Sequence, residues 1–208
     1  MRHGKKITLI KISLSFAFLL LTSCTLFKPV APVSITSYVL NSIPHRLPKY
    51  HSRSVSLYVQ TPTSNAVYNS NRMMYREKAH QIAAFALNEW AKTPNQMLEP
   101  LIVESLQKTN YFQSLITAPH MGNYSYSLST HINQLLQDYS KKYPILRLTV
   151  QAQIKTVRSQ RVIASKVFKV TVPIKEHTPY GGVKAANRAT AIILKQLVHF
   201  TIKTIGSQ

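Results

Sequence analysis

Cysteine is nearly absent from this chain of 208 residues: Cys24 stands alone, which excludes an intrachain disulfide and a cysteine-rich zinc site. Acidic residues are scarce too, with 6 Asp and Glu against 26 Lys and Arg. Hydrolytic and acid–base centres usually rest on carboxylates, and Glu77, Glu89, Glu99, Glu104, Glu176 and Asp138 are a thin supply. Glu99 and Glu104 lie five apart on an expected helix and do not face each other. No GxSxG elbow supports a serine nucleophile. The 8 histidines contain no pair spaced three, four or five apart, so no metal site is expected. Gly181 and Gly182 before Lys184 lack the GxxxxGK[ST] spacing of a phosphate loop and read as a turn preceding a helix. No residue is nominated as catalytic.

What is present is a globular composition, 45% hydrophobic, and a length suited to one domain plus targeting segments. The formal charge of +20 points to anionic neighbours, either nucleic acid or lipid headgroups. The N-terminus chooses between them. Arg2, Lys5, Lys6 and Lys11 form a basic n-region, and Ile12 to Leu21 is an apolar run too short for a confident membrane span. Leu21, Thr22, Ser23 and Cys24 follow and resemble the lipobox of bacterial lipoproteins. Small residues let the backbone lie extended in a peptidase cleft, and a thiol is the nucleophile that accepts a diacylglycerol.

Three segments are therefore expected: a lipoprotein signal peptide over residues 1–23, cut between Ser23 and Cys24; a lipid anchor and tether over 24–36; and one domain over 37–208. No cofactor is expected beyond covalent diacylglycerol and N-acyl lipid on Cys24, which together give nearly permanent membrane attachment. Thr25 is not the aspartate that retains enterobacterial lipoproteins in the inner membrane, so the expected location is the inner leaflet of the outer membrane, facing the periplasm. Nucleic acid is not an expected partner of an exported chain.

Along the domain, Tyr38–Leu40 and Val55–Val59 read as strands, the second alternating Val55, Leu57 and Val59 with polar residues. Arg72 to Arg76 and His80 to Trp90 are best accommodated as extended structure. Thr93, Pro94 and Gln96 make a capping-box start for a helix carrying Leu98, Leu101, Ile102 and Leu106, with Asn110 as a left-handed stop. Tyr126, Leu128, Ile132 and Leu136 share one parity of a strand; Leu146 to Ile154 alternates without a fault; and Val162, Ala164, Phe168, Val170 and Val172 share a face. These three strands predict an antiparallel meander. Lys141, Lys142, Arg147, Lys155, Arg158, Arg161, Lys166 and Lys169, largely on its polar face or turns, fit either a solvated surface or docking to anionic headgroups.

A last helix is expected from about Val183 to Thr204. Ala186, Ala189, Ile193, Leu197 and Phe200 form one apolar stripe, and Ala191, Leu194, Val198 and Ile202 a second beside it. One sheet face needs only the first stripe. The second is expected to meet either the Pro94 helix or a neighbouring subunit, which makes Leu194 and Val198 candidate interface residues in a homo-oligomer or a partner complex. The expected fold is α/β of the α+β type, a two-layer domain with two main helices packed on a mainly antiparallel sheet.

From Tyr38 onward the chain resembles the ABC-type transport auxiliary lipoproteins, the PqiC-like family. The resemblance rests on Tyr38 and Leu40, the strand to Val59, the RxxY stretch of Arg72, Met73 and Tyr75, Trp90 with Ala91, Pro94, Met97 with Leu98, Leu106 and Phe112, and the late Ala186 and Ala189. Phe85 stands where the family often has tyrosine. The resemblance implies helices on a sheet and a non-catalytic accessory beside an ABC permease, its ATPase and an MCE-domain protein. Such systems move phospholipid or other hydrophobic solutes between inner and outer membranes. Arg72, Tyr75 and Trp90 become candidate partner-interface residues, although large aromatics are more often buried. The alternative reading is a structural envelope lipoprotein that supports peptidoglycan synthesis or an outer-membrane complex.

Overall fold

The computed structural model describes residues 33–120 and 122–208. Its compact unit, Ile35–Gln208, holds nine strands, a short 3₁₀ turn and two long helices. The strands are β1 (Thr36–Tyr38), β2 (Arg53–Val59), β3 (Thr63–Ser64), β4 (Arg72–Arg76), β5 (Ala83–Trp90), β6 (Phe112–Thr117), β7 (Tyr126–Asp138), β8 (Ile145–Thr156) and β9 (Val162–Pro173). The helices are α1 (Pro94–Gln107) and α2 (Pro179–Gly206). The first strand lies two residues ahead of its expected position. Leu40, just beyond it, is buried.

The organising element is β7. One of its edges carries the meander, running antiparallel to β8, which in turn pairs antiparallel with β9. Its other edge is divided among three successive short segments in parallel register: β2 beside Tyr126 to Leu128, β3 beside His131 and Ile132, and β4 beside Gln137 and Asp138. β6 extends β2 in parallel, β5 pairs antiparallel with β4, and β1 pairs parallel with β5. The long ladders are thus antiparallel and most of the short ones parallel, giving a curled mixed sheet with both helices packed on it. The alternation of Leu146, Leu148, Val150, Ala152 and Ile154 places all five in the core, as period-two patterning requires.

A bulge in β7 between Ile132 and Gln134 overturns the single parity expected for that strand. One extra residue exchanges the faces beyond it, so Leu135, not Leu136, continues the face of Ile132 and stands opposite Leu148. Both leucines are buried. The same exchange sends Gln137 to the face of Leu146 and Asp138 to the face of Arg147.

Helix α1 starts as its capping residues dictate: the Thr93 N–H donates to Gln96 Oε1 at 3.3 Å, and Pro94 occupies the first turn. The left-handed residue beyond its end is Asn110, with φ 59°. Helix α2 starts at Pro179 rather than Val183, because Thr178 caps it by accepting from the Gly181 N–H at 3.0 Å. Gly181 and Gly182 therefore sit within the first turns and do not precede the helix.

Among the described residues the core is continuous and runs from Leu40 to Ile205. The unit from Ile35 onward thus holds a continuous core of its own, which is what a domain needs to fold alone.

Candidate functional site

Cys24 and Ser23 lie outside the described residues. Of the other candidates, Trp90, the last residue of β5, is 2% exposed and belongs to the core, which corrects its reading as an interface anchor, because a large aromatic is most stabilised where it is covered. Tyr75 is half-buried and stacks on Phe85, ring centroids 4.3 Å apart; Phe85 fills that contact without a hydroxyl. Arg72 is exposed at the start of β4, opposite Glu89 of β5.

Leu194 and Val198 are 0% and 1% exposed. They too are corrected: α1 lies against α2, and Leu194, Val198 and Ile202 of the second stripe are covered inside one chain. Self-association through Leu194 and Val198 therefore loses its basis.

The one fully buried charge among the described residues is Asp138, at 0% exposure. Arg76 donates to its Oδ2 at 2.5 Å and Arg147 to the same oxygen at 3.0 Å, while the Ser140 hydroxyl and N–H donate to Oδ1 at 2.6 and 3.2 Å. The Arg76 hydrogen bond above all, with those of Ser140 and Arg147, outweighs burial and holds the carboxyl well below the usual carboxylate range. A carboxylate so occupied is a clasp joining β4, β7 and β8. Beside it the Tyr139 hydroxyl donates to Gln137 Oε1 at 2.8 Å and its ring stacks on His177; burial pushes the phenol up to about 12. Among the described residues no group of three or more His, Cys, Asp or Glu assembles that would hold a metal ion, and no described helix is long and apolar enough to cross a membrane.

An open groove of about 1050 Å³ lies between α2 and the segment 37–45, which ends β1 and runs on as a strap. Asn187 of α2 fixes the strap. Its Oδ1 accepts from the backbone N–H groups of Asn41 and Ser42 at 2.9 and 3.1 Å, and its Nδ2 donates to the Val39 carbonyl at 3.0 Å. One amide side chain thus replaces a strand partner for backbone that has no sheet neighbour. Tyr38 stacks on Tyr180, centroids 5.9 Å apart, closing one end. The groove walls combine apolar groups such as Val39, Ile43 and Ile192 with Lys108, Lys184 and Arg188, and contain no acid. Sequence reasoning did not find this site, because its walls come from segments about 145 residues apart and neither carries a motif.

The family model of the ABC-type transport auxiliary lipoprotein component matches residues 38–198. The chain belongs to that family. As an auxiliary lipoprotein it is a membrane-anchored envelope component of an ABC-type transport system. Among solved structures, a Xanthomonas campestris protein assigned to the family model DUF330 shares 21% identity and a TM-score of 0.75, covering 83% of this chain and 98% of its own. A second, uncharacterised protein shares 12% identity and a TM-score of 0.65 over 81% of this chain and 99% of its own. A hypothetical protein of Chlamydia trachomatis follows at 8% identity and a TM-score of 0.50, covering 74% and 100%. At such identities the likeness establishes the auxiliary lipoprotein's fold alone. No curated protein matches the sequence.

Proposed function

We propose that this auxiliary lipoprotein is a non-catalytic accessory subunit of an MCE-type ABC system that moves phospholipid or another hydrophobic solute between inner and outer membranes. It is held by acyl chains on Cys24 to the inner leaflet of the outer membrane and faces the periplasm. Its partners are the MCE-domain protein and the permease–ATPase complex. The observation that carries the reading is the family match over residues 38–198, which covers α1, most of α2 and nearly all of the sheet. Thr25 after the acceptor cysteine favours the outer membrane, and the clasped Asp138 leaves no free buried acid to act in a reaction.

The decisive experiment combines palmitate labelling, membrane fractionation and affinity purification of the full chain. Wild type should take up label, fractionate with the outer membrane and bring down an MCE-domain protein. Cys24→Ala should be soluble and folded. Retention of Cys24→Ala in the membrane with an unlabelled wild type would end the lipoprotein anchor, and purification without any transporter subunit would end the accessory role.

A further inference from the structure

The groove beneath the strap lies where the domain is joined to its tether. Ser37 and Tyr38 line it, and the compact unit begins only just before them, at Ile35. From Cys24 to Ile35 is eleven residues, which at full extension reach roughly 40 Å. On the anchoring reading given above, this entry point cannot stray far from the bilayer.

The surface there has the chemistry of a membrane interface. Ile35, Val39, Tyr180 and Ile192 are 56%, 46%, 51% and 43% exposed, and the last three line the groove. Lys184 and Arg188, one helical turn apart on α2, stand over the same groove, with Lys108 at the end of α1 and His45 on the strap. Lys184 pairs with Glu176 and stacks over Tyr180, Lys108 pairs with Glu104 at 3.1 Å, and Arg188 donates, among the described residues, only to the Pro173 carbonyl. The ion pairs are exposed on both sides, so a phosphate can displace their carboxylates at little cost. Apolar side chains among cations are what an anionic lipid–water boundary binds.

We propose that this groove is a contact site for the anionic phospholipid headgroups of the bilayer that holds the tether. Lys184 and Arg188 meet phosphate, while Val39, Tyr180 and Ile192 reach the acyl boundary. The proposal builds on the anchored-lipoprotein reading and replaces the meander face as the membrane-facing surface. The β8–β9 hairpin packs toward the opposite end of α2, where Ile163 and Lys166 adjoin His199 and Lys203. From Arg188 to Lys203 is roughly 20 Å along the helix axis.

The test uses the unit 35–208, which holds a continuous core of its own and carries no lipid, in cosedimentation with phosphatidylcholine vesicles with and without phosphatidylglycerol. Binding should need phosphatidylglycerol and weaken with salt. Each cation at such a surface is worth about fivefold in binding, so Lys184→Gln with Arg188→Gln should lose at least tenfold. Lys184→Glu with Arg188→Glu should lose more, and Arg158→Gln with Arg161→Gln in the hairpin less than about threefold. Circular dichroism confirms that each variant is folded; if the reversed pair unfolds, the glutamine pair decides. No binding to phosphatidylglycerol vesicles overturns the proposal, as does an equal loss from the hairpin pair, which would mean unlocalised charge attraction. Vesicle binding that survives the groove pair, with loss of transporter co-purification from the full chain, would make the groove a protein interface and also overturn it. Because the unit lacks Cys24, its vesicle result is independent of the palmitate result that tests anchoring.

Discussion

Gly182 on α2 approaches Gln137 on β7 so closely that a Cβ at 182 would lie 1.9 Å from Gln137 Oε1 and 2.6 Å from its Nε2. Gln137 is 2% exposed and fixed by the Tyr139 hydroxyl, so it has little room to yield. The first turns of the helix rest on the strand through this contact, and the same turns carry one wall of the groove.

Gly182→Ala should therefore destabilise the domain by about 1 to 3 kcal/mol through overpacking, although Gly to Ala inside an unhindered helix is favourable by roughly 0.5 to 1 kcal/mol. Chemical unfolding measures it. In a Gln137→Ala background the same substitution should become neutral or stabilising, and an undiminished loss would show that the two residues do not compete for space.

Asp138→Asn should cost about 3 kcal/mol, in the range for breaking a buried ion pair, since it leaves Arg76 and Arg147 without their shared carboxylate. The carboxyl is depressed in the folded state. Its contribution is then fully present above the ordinary carboxylate value of about 4 and is lost as pH falls below it toward the folded value. Urea unfolding between pH 7 and pH 2.5 should show stability declining below about pH 4 in wild type, and a shallower decline in Asp138→Asn.

Val198→Glu should unfold the chain rather than dissolve an assembly. Val198 is 1% exposed, and a lone charge buried there has no partner and a penalty of several kcal/mol. Loss of the near-ultraviolet dichroism signal is expected. A folded Val198→Glu of altered oligomeric state would restore the interface reading of that stripe.

Leu98→Ala and Leu194→Ala should each cost roughly 2 to 5 kcal/mol, and together less than their sum if α1 and α2 share one contact. Thermal unfolding of the four proteins closes the cycle. Losses below about half a kcal/mol would be those of surface positions.

Much of this molecule is written in local pattern. The β8 alternation, the Thr93–Pro94–Gln96 start and the Asn110 stop all depend on neighbours within a turn or a pleat, and such features are legible in a chain met for the first time. The family resemblance added the order of these pieces.

Other decisions needed the fold. Whether the Leu194 and Val198 stripe faces a partner or α1 depends on where another helix lies, and nothing within α2 encodes that. The bulge after Ile132 costs one residue and has no side-chain signature, yet it decides that Gln137 turns toward Gly182 and Asp138 toward two arginines. The groove is the extreme case: Asn187 reads as an ordinary helix residue until the strap crosses it. The start of α1 and the best strand come from interactions short enough to be seen in sequence, whereas the clasp, the covered stripe and the groove arise from contacts between distant segments, which only the packing of the whole core selects.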